Sequence, residues 1–222
     1  MRSKGDTINN AMLQKLFSND NLFWRVMGIL GDIFLLNILW IITSIPIITI
    51  GASSTAVYYA LFKIIKNEGD GTIRMFFRSF RQNFVEASII WIGTLLIITL
   101  LCFDYYFFMQ SGFPFPLLGT IARIVLIAVA LVLIILVLYV WPVLSRFDND
   151  IIHTLRFAIN IAIANLPKTA LILITDSAIF AIECVIIRHL TIAAPLIGIT
   201  GFPLYAWVNV HFFQVIFEGK RD

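Results

Sequence analysis

Runs of about twenty apolar residues recur along this chain, and each is long enough for a helix to cross roughly 30 Å of hydrocarbon. That recurrence leaves little room for a water-soluble fold. Of 222 residues, 60% are hydrophobic and 13% charged, and mean hydropathy is +0.94. An ordinary soluble domain carries about 25% charged residues, so the charges here are too few to cover a water-facing surface. No hydrophilic stretch is long enough for a separate soluble domain, and residues 1–222 are expected to form one transmembrane domain. In a soluble protein, a net charge of +3 and a pI near 9.0 would suggest nucleic acid. In a membrane protein they reflect basic cytoplasmic loops, and no nucleic-acid partner is expected.

The apolar runs predict an all-α polytopic membrane protein with spans at about 25–46, 47–65, 84–108, 117–141, 169–187 and 191–213. The second is the least obvious, because it holds Thr49, Gly51, Ser53, Ser54 and Thr55. Small and hydroxylated residues are tolerated in spanning helices and let backbones approach closely. Charge decides the matter. The following loop carries Lys63, Lys66, Arg74, Arg78 and Arg81, and such a loop belongs in the cytoplasm. With six crossings and both termini inside, that loop joins Arg2, Lys4, Lys15, Arg25, Arg146, Arg156, Lys168, Lys220 and Arg221 on the cytoplasmic side. Of the 16 Lys and Arg residues, only Arg123 and Arg188 then fall outside. Five crossings lose this asymmetry.

Amphipathic cytoplasmic helices are expected before spans 1, 3 and 5. Residues 1–24 place Met12, Leu13, Leu16 and Phe17 at helical spacing, and residues 214–222 form a cytoplasmic tail. The first apolar run begins only near Leu22 and lacks a cleavage pattern, so a cleavable signal is not expected. In "TIRMFFRSFRQNF", Ile73, Phe76, Phe77, Phe80 and Phe84 recur at helical spacing, with Arg74, Arg78 and Arg81 on the other face. This pattern predicts an interfacial helix with its aromatic side in the headgroup region and its arginines toward phosphates or a partner. A shift of 82 residues lays Asn83-Phe84 over Asn165-Leu166, and Phe76, Phe77 and Phe80 over Ala158, Ile159 and Ala162. Both segments join an inward-running span to an outward-running one, which suggests a parallel internal repeat of the kind used in transporters.

Ionisable residues inside spans are costly, so each is a functional candidate. Asp104, Arg123 and Glu183 fall in the outer third, with Arg188 and His189 just beyond. Asp32 and Asp176 lie about two turns from the cytoplasmic side, counted by helix rise. Asp176 and Glu183, seven apart, share a helix face. Asn209 and His211 belong to the inner layer of the last span. These residues can form a polar route through the bundle. The structural reading is favoured, with Arg123 paired to Glu183 or Asp104 and Asp32 bonded to a neighbour, because buried charges require partners. Cys102 and Cys184 read as small buried hydrophobes. Gly28-x-x-Gly31 and Gly198-x-x-Gly201 suggest helix contacts or kinks, and Pro46, Pro142, Pro195 and Pro203 suggest span ends or kinks. Ser145, Arg146 and Asp148 read as a helix start. The chain has no "GxxxxGK" phosphate loop and no "HExxH", so neither enzymatic activity nor a metal or cofactor is expected.

Residues 37–59, "NILWIITSIPIITIGASSTAVYY", resemble the YesL-like family of bacterial integral membrane proteins. The resemblance rests on Asn37, Leu39, Trp40, Pro46, Thr49-Ile50-Gly51, Ala56, Tyr58 and Tyr59, followed in order by "FFRSFRQNF" and "NLPKT". It extends from about residue 15 to 215. Where the family pattern often has Pro after the glycine, this chain has Ala52. The resemblance implies a protein of the bacterial cytoplasmic membrane, encoded beside binding-protein-dependent oligosaccharide importers and glycosidases. It brings no catalytic residues. The expected function is therefore an accessory membrane subunit of a carbohydrate ABC importer, in contact with permease subunits and lipid. An autonomous small transporter or channel for sugars is the alternative.

Overall fold

The computed structural model describes residues 22–111, 116–147, 150–189 and 194–218, all helices and short joints with no strand among them. Helix α1 is Leu22–Ser44, a 3-10 turn spans Ile47–Thr49, and α2 is Ile50–Ile65. Then follow α3 (Thr72–Gln82), α4 (Phe84–Ser111), α5 (Pro116–Arg146), α6 (Ile151–Ala164), α7 (Leu166–His189) and α8 (Ala194–Glu218). Five segments are long and apolar enough to cross a membrane: α1, the 3-10 turn with α2, α4, α5 and α7. The 25-residue α8 runs beside them, bent at Gly201, where the backbone leaves helical geometry two residues before Pro203.

The least apolar span is the centre of the bundle. The segment Ile47–Ile65 has a mean hydropathy of 1.4 against 3.3 for α5, yet 67% of it is buried against 11–22% of the other four. Helix α2 packs on α1, α3, α4, α5 and α8. Its small side chains allow this. A Cβ added at Gly51 would lie 2.6 Å from the Ala87 carbonyl oxygen and 2.9 Å from both Trp91 and Trp141. Its hydroxyls bond within the helix or to α1. Ser53 and Thr55 donate to the carbonyls of Thr49 and Gly51, at 3.0 Å each. The Trp40 Nε1 donates to Ser54 Oγ at 3.2 Å, and Thr43 and Ser53 share a 2.8 Å bond. The strongly apolar helices instead turn residues such as Leu96, Leu100, Ile124 and Val132 outward, as a hydrocarbon solvent requires.

Cross-contacts fix the helix directions. Trp40–Ser54 and Thr43–Ser53 make α1 and α2 an antiparallel hairpin, turned at Pro46. Tyr58–Phe213 and Phe62–Phe217 ring contacts run α8 parallel to α2. The Arg146 guanidinium sits over the rings of Phe62 and Phe217 at 5.5 and 5.4 Å, and Lys66 pairs with Glu218 at 3.6 Å. The C-termini of α2, α5 and α8 therefore share one end of the bundle, from which α3 and α6 start.

The two amphipathic helices end alike, 82 residues apart. Asn83 donates from Nδ2 to the Ser79 carbonyl at 3.1 Å, and Asn165 does the same to Ile161 at 3.0 Å. One turn on, Ala87 N–H bonds to the Asn83 carbonyl and Thr169 N–H to that of Asn165, both at 2.9 Å. Thr72 and Thr154, Ser79 and Ile161, Ala87 and Thr169, and Ile90 and Ile172 are buried at matching positions.

Several expectations need correction. Helix α5 continues through Pro142 to Arg146, so Ser145 and Arg146 end a helix, and Asp150 stands at the N-cap of the next. Helix α8 reaches Glu218, taking in the first part of the expected tail. Cys102 and Cys184 are exposed: a thiol is apolar enough to face lipid. Gly28 and Gly31 have nothing within 4 Å of an added Cβ and mark no close helix contact. The expected N-terminal helix with Met12, Leu13, Leu16 and Phe17 lies outside the described residues, as do Asp148, Lys220 and Arg221.

Candidate functional site

Helices α7 and α8 run antiparallel and place two polar pairs on their seam. The Asn209 Nδ2 donates to Asp176 Oδ2 at 3.1 Å, and the Tyr205 hydroxyl donates to Glu183 Oε2 at 2.6 Å. The spacing explains the pairing. Residues 176 and 183 are seven apart on one helix and 205 and 209 four apart on the other, so each pair projects from one face. Tyr58 reaches the same place from the central helix, interacting with Asn209.

The seam borders a cleft of about 900 Å³ that separates α4 and α5 from α7 and α8. One wall carries Tyr58, Asp176, Ser177, Tyr205 and Asn209; the rest is largely aliphatic and aromatic, including Leu101, Leu133, Trp141 and Phe180. Tyr139 and Thr169 tie α5 to α7 through a 2.6 Å hydroxyl contact. Asp176 lies about 15 Å along α7 by helix rise, near the middle of that helix. Three buried acceptors on this seam, Asp176 Oδ1, Asn209 Oδ1 and Glu183 Oε1, have no hydrogen-bond partner among the described residues. The 82-residue offset sharpens the point. Thr94 occupies the position equivalent to Asp176, and its hydroxyl is satisfied by the Ile90 carbonyl at 2.8 Å.

A second feature lies at the end of the bundle where α2, α5 and α8 finish. Leu35 of α1 and Arg74, Phe77, Arg78 and Arg81 of α3 frame a groove of about 830 Å³. Arg78 is held by a hydrogen bond with Tyr59 and by Asp70 at 3.1 Å, which together keep its guanidinium more firmly charged. All three arginines are exposed. The aromatic face expected to enter headgroups divides in two. Phe76 is fully buried and Phe80 stacks on it at 6.1 Å, whereas Ile73 and Phe77 stay exposed. Phe76 is therefore core, unavailable to lipid or partner, because α2 buries that side of α3.

The remaining candidates are dispersed. Asp32 accepts a hydrogen bond from the Thr72 hydroxyl and anchors the first turn of α3 to α1. Asp104 is half-buried on α4 and Arg123 exposed on α5. The ion pairs among the described residues are Lys63–Glu68, Lys66–Glu218 and Arg78–Asp70, so Arg123 pairs with neither Asp104 nor Glu183. Arg188, His189 and His211 are exposed, and His211 Nδ1 contacts the Trp207 carbonyl at 2.8 Å. Tyr205 was not singled out from the sequence; its spacing of four from Asn209, matched against the face shared by Asp176 and Glu183, is the signal for it.

Asn37, Trp40, Pro46, Thr49 and Gly51 gather around the α1–α2 hairpin. Asn37 is fully buried, its Oδ1 lying 3.4 Å from where a Cβ on Gly201 would stand. Trp40 stacks on Phe202 at 5.2 Å, just past the same bend. Thr49 donates to the Pro46 carbonyl at 2.6 Å and also to that of Thr43, closing the turn. Residues 33–105, from α1 through most of α4, match the DUF624 family, described as a protein of unknown function. YesL-like proteins fall in this family, and within the matched residues Trp40, Pro46 and Thr49 close the α1–α2 hairpin. No curated protein and no solved structure matches the chain.

Proposed function

We propose that this chain is a six-span subunit of the bacterial cytoplasmic membrane, with both ends inside. In this reading it serves as an accessory component of a binding-protein-dependent oligosaccharide ABC importer, supporting permease assembly, uptake or gating. Helix α8 is the sixth span. The basic residues around α3 and α6 set the orientation, since Lys and Arg concentrate on the cytoplasmic side. The observation that supports a subunit role most directly is the groove of Leu35, Phe77, Arg74, Arg78 and Arg81. It offers a rigid, basic surface with an apolar floor, fastened to the central helix, to an acidic amphipathic segment of a permease. Anionic lipid would engage the same arginines with about 1 kcal/mol for each residue near the surface.

Replacing Arg74, Arg78 and Arg81 together by Gln tests the reading. The variant should reach the membrane but recover permease subunits at well under half the unaltered level. Unchanged recovery would remove the groove from any docking role. The second reading, an autonomous transporter or channel for sugars, has the cleft in its favour. The cleft's polar groups, however, are few and lie mainly on the α7–α8 side, with Tyr105 of α4 across from them. A free sugar there would leave most hydroxyls against aliphatic side chains, at a substantial desolvation cost. Sugar uptake by liposomes containing this chain alone would establish that second reading.

A further inference from the structure

The cleft between α4–α5 and α7–α8 has a chemistry more specific than its size. We infer that it binds a membrane amphiphile whose head donates hydrogen bonds, an ammonium or hydroxyl group, to Asp176 and Asn209, with its hydrocarbon body along α4 and α5. Four observations lead there. The volume of about 900 Å³ falls within the roughly 300–1,000 Å³ of small-molecule sites. Most of the lining is hydrocarbon-compatible, with Ile98, Leu126 and Ile134 of α4 and α5 opposite the polar wall and Tyr105 as the polar side chain among them. The unsatisfied groups on that wall, Asp176 Oδ1 and Asn209 Oδ1, are both acceptors, and Asn209 is 1% exposed.

The fourth observation is the identity of the residue itself. Among the described residues no Lys, Arg or His forms an ion pair with Asp176, and buried acceptors left open are costly. A carboxylate near mid-helix facing an apolar space attracts a donor from outside the chain. An acceptor-only head, such as an ester, would leave both of these acceptors unsatisfied. A free polar solute would satisfy the acceptors but leave the apolar wall uncovered. Only a molecule with both parts matches both walls. Thr94, the counterpart of Asp176 in the first repeat, bonds its own helix, so the repeat supplies this site once.

The test uses the full chain in phosphatidylcholine nanodiscs, whose headgroups carry no N–H or O–H donor. Three photoreactive probes of equal sixteen-carbon length, each with a diazirine in the chain, differ only in the head: primary amine, hydroxyl or methyl ester. Adducts are mapped by peptide mass spectrometry. A donor-headed probe should label the peptides containing Leu101, Leu133 and Phe180 about tenfold more than the ester, the discrimination one charge-assisted hydrogen bond supplies. Amine above hydroxyl would identify a cationic amphiphile, and hydroxyl equal to or above amine a neutral one; either supports the site. Asp176→Asn should reduce the preference for amine. Ala130→Phe, which fills the cleft from α5 without touching the carboxylate, should abolish labelling by every probe. Both variants are compared at matched monodispersity. Equal labelling by ester and donor heads would overturn the inference, as would labelling insensitive to Ala130→Phe, because the cleft would then be ordinary lipid-facing surface.

Discussion

Helices α2 and α7 both carry polar side chains through the bundle, and they treat them in opposite ways. In α2 the small hydroxylated residues sit in a segment that is 67% buried, and Ser53, Ser54 and Thr55 all have partners within the helix or on α1. In α7 the segment is 11% buried, and its two carboxylates each retain an oxygen without a partner among the described residues. Polar residues in the first helix permit close backbone approach and then satisfy themselves. Those in the second face a cleft and leave acceptors open. The contrast separates architecture from site: the α1–α2 hairpin holds the fold, and the α7–α8 seam is where something else can bind.

The largest effect should come from breaking the hairpin side of this contrast. Gly51→Val places a branched side chain where even a Cβ meets the Ala87 carbonyl at 2.6 Å. Backbone cannot yield as a flexible side chain does, so a loss at or above the upper end of the usual overpacking range, about 3 kcal/mol, is expected. Thermal denaturation in detergent, followed by size-exclusion chromatography, should show a sharply lowered midpoint or no folded peak. A melting curve like that of the unaltered chain would mean α2 is not the tightly packed centre. Next in size is Trp40→Phe, which removes the bond to Ser54 while keeping an aromatic ring against Phe202. A loss of about 1 kcal/mol is expected, and the same melting assay measures it.

Asp176→Asn probes the other side. The substitution keeps an acceptor for the Asn209 amide and removes a charge with an open oxygen. Stability should change by no more than about 0.6 kcal/mol, the average for polar contacts between spanning helices. A loss as large as that of Gly51→Val would make the seam architectural and erase the distinction. The smallest effect concerns the exposed Lys63–Glu68 pair, 2.9 Å apart. Hydrogen bonding to Lys63 holds the Glu68 carboxyl below its ordinary range. The pair's contribution is therefore complete above the unfolded carboxylate pKa and is lost as pH falls through the lowered folded value. Glu68→Gln should flatten only the acid end of the stability profile, and slightly, because exposed pairs contribute little.

Much of this fold was legible because membrane spans announce themselves by length and apolarity. The second span was recoverable only through the basic loop after it, since its own residues are the least apolar of the five. The 82-residue offset also carried real geometry: Asn83 and Asn165 close their helices with the same side-chain bond. The pairing of charges was less legible. Similar depth suggested Arg123 as the partner of Asp104 or Glu183, but depth does not fix which helices adjoin, and Glu183 is bonded by Tyr205 instead. Periodicity likewise showed that Phe76 and Phe77 lie on an apolar face without showing that α2, rather than lipid, covers Phe76. The cleft depends on four helices diverging, which no local pattern encodes.

The most direct test of the proposed role is purification of the tagged chain from its native membranes in a mild detergent, with mass spectrometry of what accompanies it. The account predicts stoichiometric recovery of importer permease subunits, reduced when Arg74, Arg78 and Arg81 are replaced by Gln. Recovery of this chain alone across several mild detergents would contradict it.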